Sequence, residues 1–208
     1  MASTRDRSVL TPAEQRALAQ IRAELDRAVR YDDESIVADA WIRQRYGTGS
    51  FATYTPARAA AVRTAWHEAG HAVAALAVGA RFSSASIRHC AGPRGTQGRV
   101  HGITGGGDRA FVVDAGGQIA ERLMDWTLPG SDDDLRATLS AWRRDGGDAR
   151  RFRQAVAGTP GHDEVAAWRY SEELLTLRRL AVRQVARALL VYPRHLPYRV
   201  VAAVAAAA

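Results

Sequence analysis

Residues 56–79 read PARAAAVRTAWHEAGHAVAALAVG, and they decide the fold. Pro56, after Thr55, suits a first helical position, and Gly79 suits a residue just past a helix end. No breaker stands between them except Gly70. The spacing therefore predicts one helix, and its stretch AVAALAV is apolar on every side. Such a segment belongs at the centre of a core rather than on a surface.

Within that helix, WHEAGHA (66–72) sets His67 and His71 four residues apart, on one face. Two imidazoles so placed can hold one tetrahedral zinc ion. Glu68, about 100° round the helix, lies beside such a metal and can take a proton from zinc-bound water. Gly70 lets another segment approach closely. The set needs a third protein ligand, with a water in the fourth position. The HExxHxxGxxH variant is excluded, because Ala74 and Ala77 stand where it needs glycine and histidine. The candidates are acidic: Glu121, or the run Asp132-Asp133-Asp134.

Outward from the central helix, Thr11-Pro12-Ala13-Glu14 is a capping box opening an amphipathic helix with Leu18, Ile21 and Leu25 on one face. A second short helix is expected over 35–46, followed by a loop. After Gly79, Ile87 and Val100 to Ile103 flank a Gly/Pro-rich turn, which reads as a β-hairpin. Helices are expected over 108–126 and from Ser131. DGGDARR and AGTPGHD bracket a region with no clear element, and a last long helix spans about 164–191, stopped by Pro193. The fold class expected is mainly α, with one small hairpin or sheet beside the histidine helix. The divisions expected are an N-terminal helical extension (1–55), the main domain (56–192) and a C-terminal tail (193–208).

The 208 residues suffice for one well-buried core, and 47% hydrophobic with 25% charged residues is ordinary for a globular chain. The net charge of +7 is carried wholly by arginine. Without lysine there is no P-loop, and so no nucleotide-driven motor of that type. The lone Cys90 permits neither an internal disulfide nor a cysteine cage for a metal. No window reaches the about 18 apolar residues of a membrane span, and the start lacks a signal-peptide pattern. The expectation is a cytoplasmic protein with no membrane contact.

HEAGHA (67–72), PRG (93–95) with a glycine shortly after, GGQIAE (116–121) and GSDDDLRAT (130–138) occur in the order seen in FtsH-like zinc peptidases. The segment EELLTLRRLAVRQVARALL (172–190) resembles the C-terminal helix of those domains. The resemblance covers about residues 56–191. It implies a zinc endopeptidase with His67 and His71 as ligands, Glu68 as the base and an aspartate as third ligand. Counting from Gly130 selects Asp134, while counting back from Ala137-Thr138 selects Asp133. Asp134 is favoured because Leu135, Leu139 and Trp142 then share a helical face able to pack on the core. The departures are Gln118 and Arg122 in place of the usual arginine and glutamate, a shorter PRG-to-glycine spacing, and the missing ATPase and anchor.

The run at 131–134 also has a plain helix-capping reading. Glu121 can orient a zinc-bound histidine or pair with an arginine. The other histidines, His89, His101, His162 and His195, read as surface or core residues. The expected activity is ATP-independent hydrolysis of peptides or unfolded segments, with a separate ATPase as a conceivable partner. The alternatives are a catalytically silent zinc-binding regulatory domain and a basic nucleic-acid-binding module. The latter is disfavoured by the scarcity of aromatic residues among the arginines.

Overall fold

The structure, a computed structural model, describes residues 9–29, 56–89, 96–142, 147–192 and 195–208. The expected helix at 35–46, the loop after it, Cys90, the PRG turn and Pro193 lie outside the described residues.

Helix α1 (Pro12–Val29) begins with the expected capping box. Glu14 Oε2 accepts from the Thr11 amide at 2.7 Å, and Thr11 Oγ1 accepts from the Glu14 amide at 3.3 Å. Helix α2 (Pro56–Ala77) is the central element, with Ala61, Ala65, Ala69, Ala72, Val73, Ala74 and Ala75 all buried. It closes in a Schellman turn. The Ala80 amide reaches Ala75 O at 2.9 Å and the Gly79 amide reaches Leu76 O at 3.2 Å, with Gly79 at φ 72°.

The chain then forms the expected hairpin. Strands β1 (Ser84–His89) and β2 (Thr96–His101) pair antiparallel, from Ser84 opposite His101 to His89 opposite Thr96. A two-residue strand, β3 (Leu196–Pro197), adds to the far side of β1, giving the order β2-β1-β3 and leaving β2 at an edge.

Helix α3 (Ala110–Asp125) follows a short 3-10 turn and crosses α2 at very close range. A Cβ on Gly70 would lie 2.1 Å from Gly116 O, and one on Gly116 would lie 2.7 Å from Gly70 O. Three further helices are α4 (Asp132–Trp142), α5 (Gly147–Ala157) and α6 (Glu164–Thr176). They pack their apolar residues, among them Trp142, Phe152 and Trp168, into an aromatic cluster against α3. Helix α5 occupies the stretch in which sequence patterning predicted no element.

The expected long last helix is two. Helix α6 ends at Thr176, and α7 (Arg179–Val191) starts after a break at Leu177 and Arg178. Leu175 is buried on α6, and Val182, Val185 and Ala186 are buried on α7, which packs on α2. The segment expected as a tail instead forms β3 and α8 (Tyr198–Ala206), with Val200, Val201 and Val204 buried. Helix α1 packs on α8 and α7, so both ends join the core that holds α2. The architecture is mainly α with a small three-stranded sheet. No helix among the described residues is long and apolar enough to cross a membrane.

Candidate metal centre

The turn between His67 and His71 on α2 brings their Nε2 atoms to 3.0 Å. A third donor comes from α5: Asp148 Oδ2 lies 3.2 Å from His67 Nε2 and 3.4 Å from His71 Nε2. Donors around a four-coordinate ion with bonds near 2 Å stand about 3.3 Å apart. The three observed separations match the edges of that tetrahedron, so His67, His71 and Asp148 form a group able to hold a metal ion.

The outer ring nitrogens fix the ring orientations. His71 Nδ1 faces the Val113 carbonyl at 2.6 Å, and a carbonyl only accepts, so Nδ1 carries a proton and Nε2 is the nitrogen turned toward the cleft. His67 Nδ1 lies 2.7 Å from Glu121 Oε1. Glu121 also takes Arg63 at 3.2 Å, and Arg63 reaches Asp125 at 2.8 Å. Both alternatives weighed for Glu121, orienting a histidine and pairing with an arginine, are thus realised at once. Imidazole ligands held this way by outer partners are the usual construction of metal sites.

Two glycines clear the space. A Cβ on Gly117 would stand 2.6 Å from the Nε2 atoms of both histidines. One on Gly98, in β2, would stand 2.3 Å from Glu68 Cγ. Glu68 is 6% exposed, accepts from the Val100 amide, and borders the same cleft as the histidines. Burial pushes its carboxyl above the ordinary value, against the pull of His71 and His67.

The remaining charges are arranged around Asp148. Its Oδ1 is bonded by Arg151 Nη2, and Arg151 Nε reaches Asp114 Oδ1 at 2.9 Å. Burial works against ionisation of Asp148, but the hydrogen bonds from His67 and His71 outweigh it and hold the carboxyl well below its usual range. For His67, burial is likewise outweighed, here by Asp148 and Glu121, and the ring is pushed up to about 10. In the metal-free protein, then, His67 carries a proton between two carboxylates. The cleft over the site encloses about 470 Å³ and is walled on one side by the β2 edge from Gly98 to His101.

Of the expected residues, the structure brings together His67, His71 and Glu68 but not Asp134 or Asp133. Asp134 caps α4: its Oδ2 accepts from the Ser131 hydroxyl at 2.6 Å and amide at 3.2 Å, while its own amide bonds Ser131 Oγ at 3.2 Å. These bonds lower its pKa. Asp133, 92% exposed, pairs with Arg136 at 2.9 Å. Neither joins the histidines as a third donor: the cap with Ser131 holds Asp134, and Arg136 pairs with Asp133, at the start of α4, while Asp148 stands at the histidines. The predicted apolar face of α4, Leu135, Leu139 and Trp142, is buried as expected.

Asp148 was the residue missed. The helix that carries it had a signal, though the ligand did not: Ala149, Phe152 and Val156 recur at helical spacing directly after it, and all three are buried. Of the histidines read as surface or core residues, His101 and His195 meet edge to face at 5.0 Å and bond Ser86 and Ser84 respectively. His162 packs on Phe111. Comparison of the chain with models of protein families, with curated proteins and with solved structures finds no match.

Proposed function

We propose that the protein is a zinc-dependent peptidase acting on peptides or already unfolded segments. The observation that carries this reading is the convergence of His67, His71 and Asp148 with a buried carboxylate, Glu68, at one cleft. Two imidazoles and one carboxylate suit zinc, and three protein donors leave a coordination position for a reactant. When bound, zinc supplies Lewis-acid polarisation of a carbonyl and a water of lowered pKa.

The chain's own groups do the rest. Glu68, whose burial strengthens its hold on a proton, accepts one from the attacking water and passes it to the leaving amine. Glu121 and the Val113 carbonyl keep both Nε2 atoms aimed at one point. The β2 edge beside the cleft suits an extended peptide laid against it as an added strand. These 208 residues contain no P-loop lysine, so unfolding of a folded substrate would fall to an ATPase outside them.

Purified protein loaded with zinc is expected to cleave unfolded casein and to stop on chelation. Glu68→Gln is expected to keep one zinc per chain, by elemental analysis, and to lose at least about 100-fold in rate, the scale of a general base. A Glu68→Gln variant that cleaves at the wild-type rate sinks the mechanism. Zinc binding without any cleavage by the wild type turns the reading into a silent zinc-binding domain.

A further inference from the structure

We propose that Arg151 is a positioning residue that confines Asp148 to a single metal-binding oxygen, keeping one coordination position open. The inference rests on the metal reading above and adds the device that sets the coordination number. Asp148 has two oxygens with separate duties. Oδ2 faces both histidine Nε2 atoms, at 3.2 and 3.4 Å, while Oδ1 is taken by Arg151 Nη2.

Arg151 lies one turn along α5, and such a pair alone, half in solvent, has little hold. What holds the guanidinium is a second anchor on another helix. Its Nε donates to Asp114 Oδ1 at 2.9 Å, and Asp114, only 17% exposed, directly follows Val113 on α3. The Val113 carbonyl orients His71. One turn of α3 therefore aims a histidine directly and the aspartate through Arg151. A planar guanidinium with two fixed partners sets direction in a way a lysine cannot.

A carboxylate freed at its second oxygen can bind a metal through both. With Oδ1 released, Asp148 would supply two donors and occupy the position that a catalytic centre leaves for water. Arg151 prevents that by holding Oδ1 off the metal.

The test uses Co²⁺ titrated into the metal-free full chain, because the intensity of its visible bands reports coordination number. The wild type is expected to take one Co²⁺ per chain with the strong bands of a four-coordinate ion. In Arg151→Met the bands are expected to weaken to five-coordinate intensity, with unchanged helix content by circular dichroism. Asp114→Ala, which removes only the second anchor, is expected to shift them the same way by a smaller amount. Arg151→Lys is expected to resemble Arg151→Met, since it restores charge without the fork. Strong bands retained in folded Arg151→Met overturn the inference while leaving the metal centre intact. Should that variant fail to fold, strong bands retained in both Asp114→Ala and Arg151→Lys overturn it equally. A wild type that takes up no Co²⁺, or uptake unaffected by His67→Ala, removes the metal reading and this inference with it.

Discussion

At the scale of single residues, two aspartates with opposite roles separate metal binding from helix capping. Asp148→Asn is expected to lose metal, because the amide at that position is a far weaker donor toward the ion shared with His67 and His71. Asp134→Asn is expected to keep one metal per chain and to lower the melting temperature slightly, since it disturbs only the cap with Ser131. Elemental analysis beside a thermal melt reads both. The charge state of His67 makes a further expectation. Its pKa is raised to about 10, so the protonated pair with Asp148 stabilises the metal-free fold fully below the unfolded value of 6.5. That contribution is lost as pH rises from there through 10, and the melting temperature of metal-free protein should fall over the same interval. Binding of an ion near neutral pH must expel this proton, so calorimetry in buffers of different ionisation heat should report about one proton released per metal.

At the scale of elements, the contact of α2 with α3 is set by glycines with distinct tasks. Gly70→Ala drives a Cβ to 2.1 Å from a backbone oxygen of α3, which cannot swing away, and is expected to destabilise by about 3 kcal/mol or more. Gly117→Ala meets the imidazoles instead and is expected to weaken metal binding more than folding, as a metal titration alongside urea unfolding would resolve. Most elements were legible in the chain because their signals are local. The capping box at Thr11–Glu14, the unbroken apolar run after His71 and the Gly/Pro turn between two apolar stretches each announce an element where they stand. The third donor was not legible, for a physical reason. Ligation joins residues brought together by packing of α5 on α3, and nothing within DGGDARR distinguishes Asp148 from a helix-capping acid. Ser131–Asp134 carried the stronger local signal, and that signal was for a cap. The break at Leu177 and Arg178 likewise contains no proline or glycine to announce it.

At the scale of the whole molecule, the first and last described helices, α1 and α8, close on one another. Arg199 Nη1 bonds Val9 O at 2.6 Å, and Ser84 on β1 lies 3.2 Å from His195 Nδ1. Deleting residues 193–208 removes Leu196 and three buried valines from the core, about 6–12 kcal/mol of burial, comparable with the stability of an entire domain. The truncated chain is expected to be unfolded at room temperature by circular dichroism, even though every candidate ligand remains.

The pairing of β3 with β1 has a further consequence in time. Leu196 meets Ala85 across more than half of the chain, and contacts of such separation close late. During synthesis the two histidines and Asp148 leave the ribosome well before the strand that completes the sheet behind the cleft. A growing chain therefore carries the donors without the finished wall beside them.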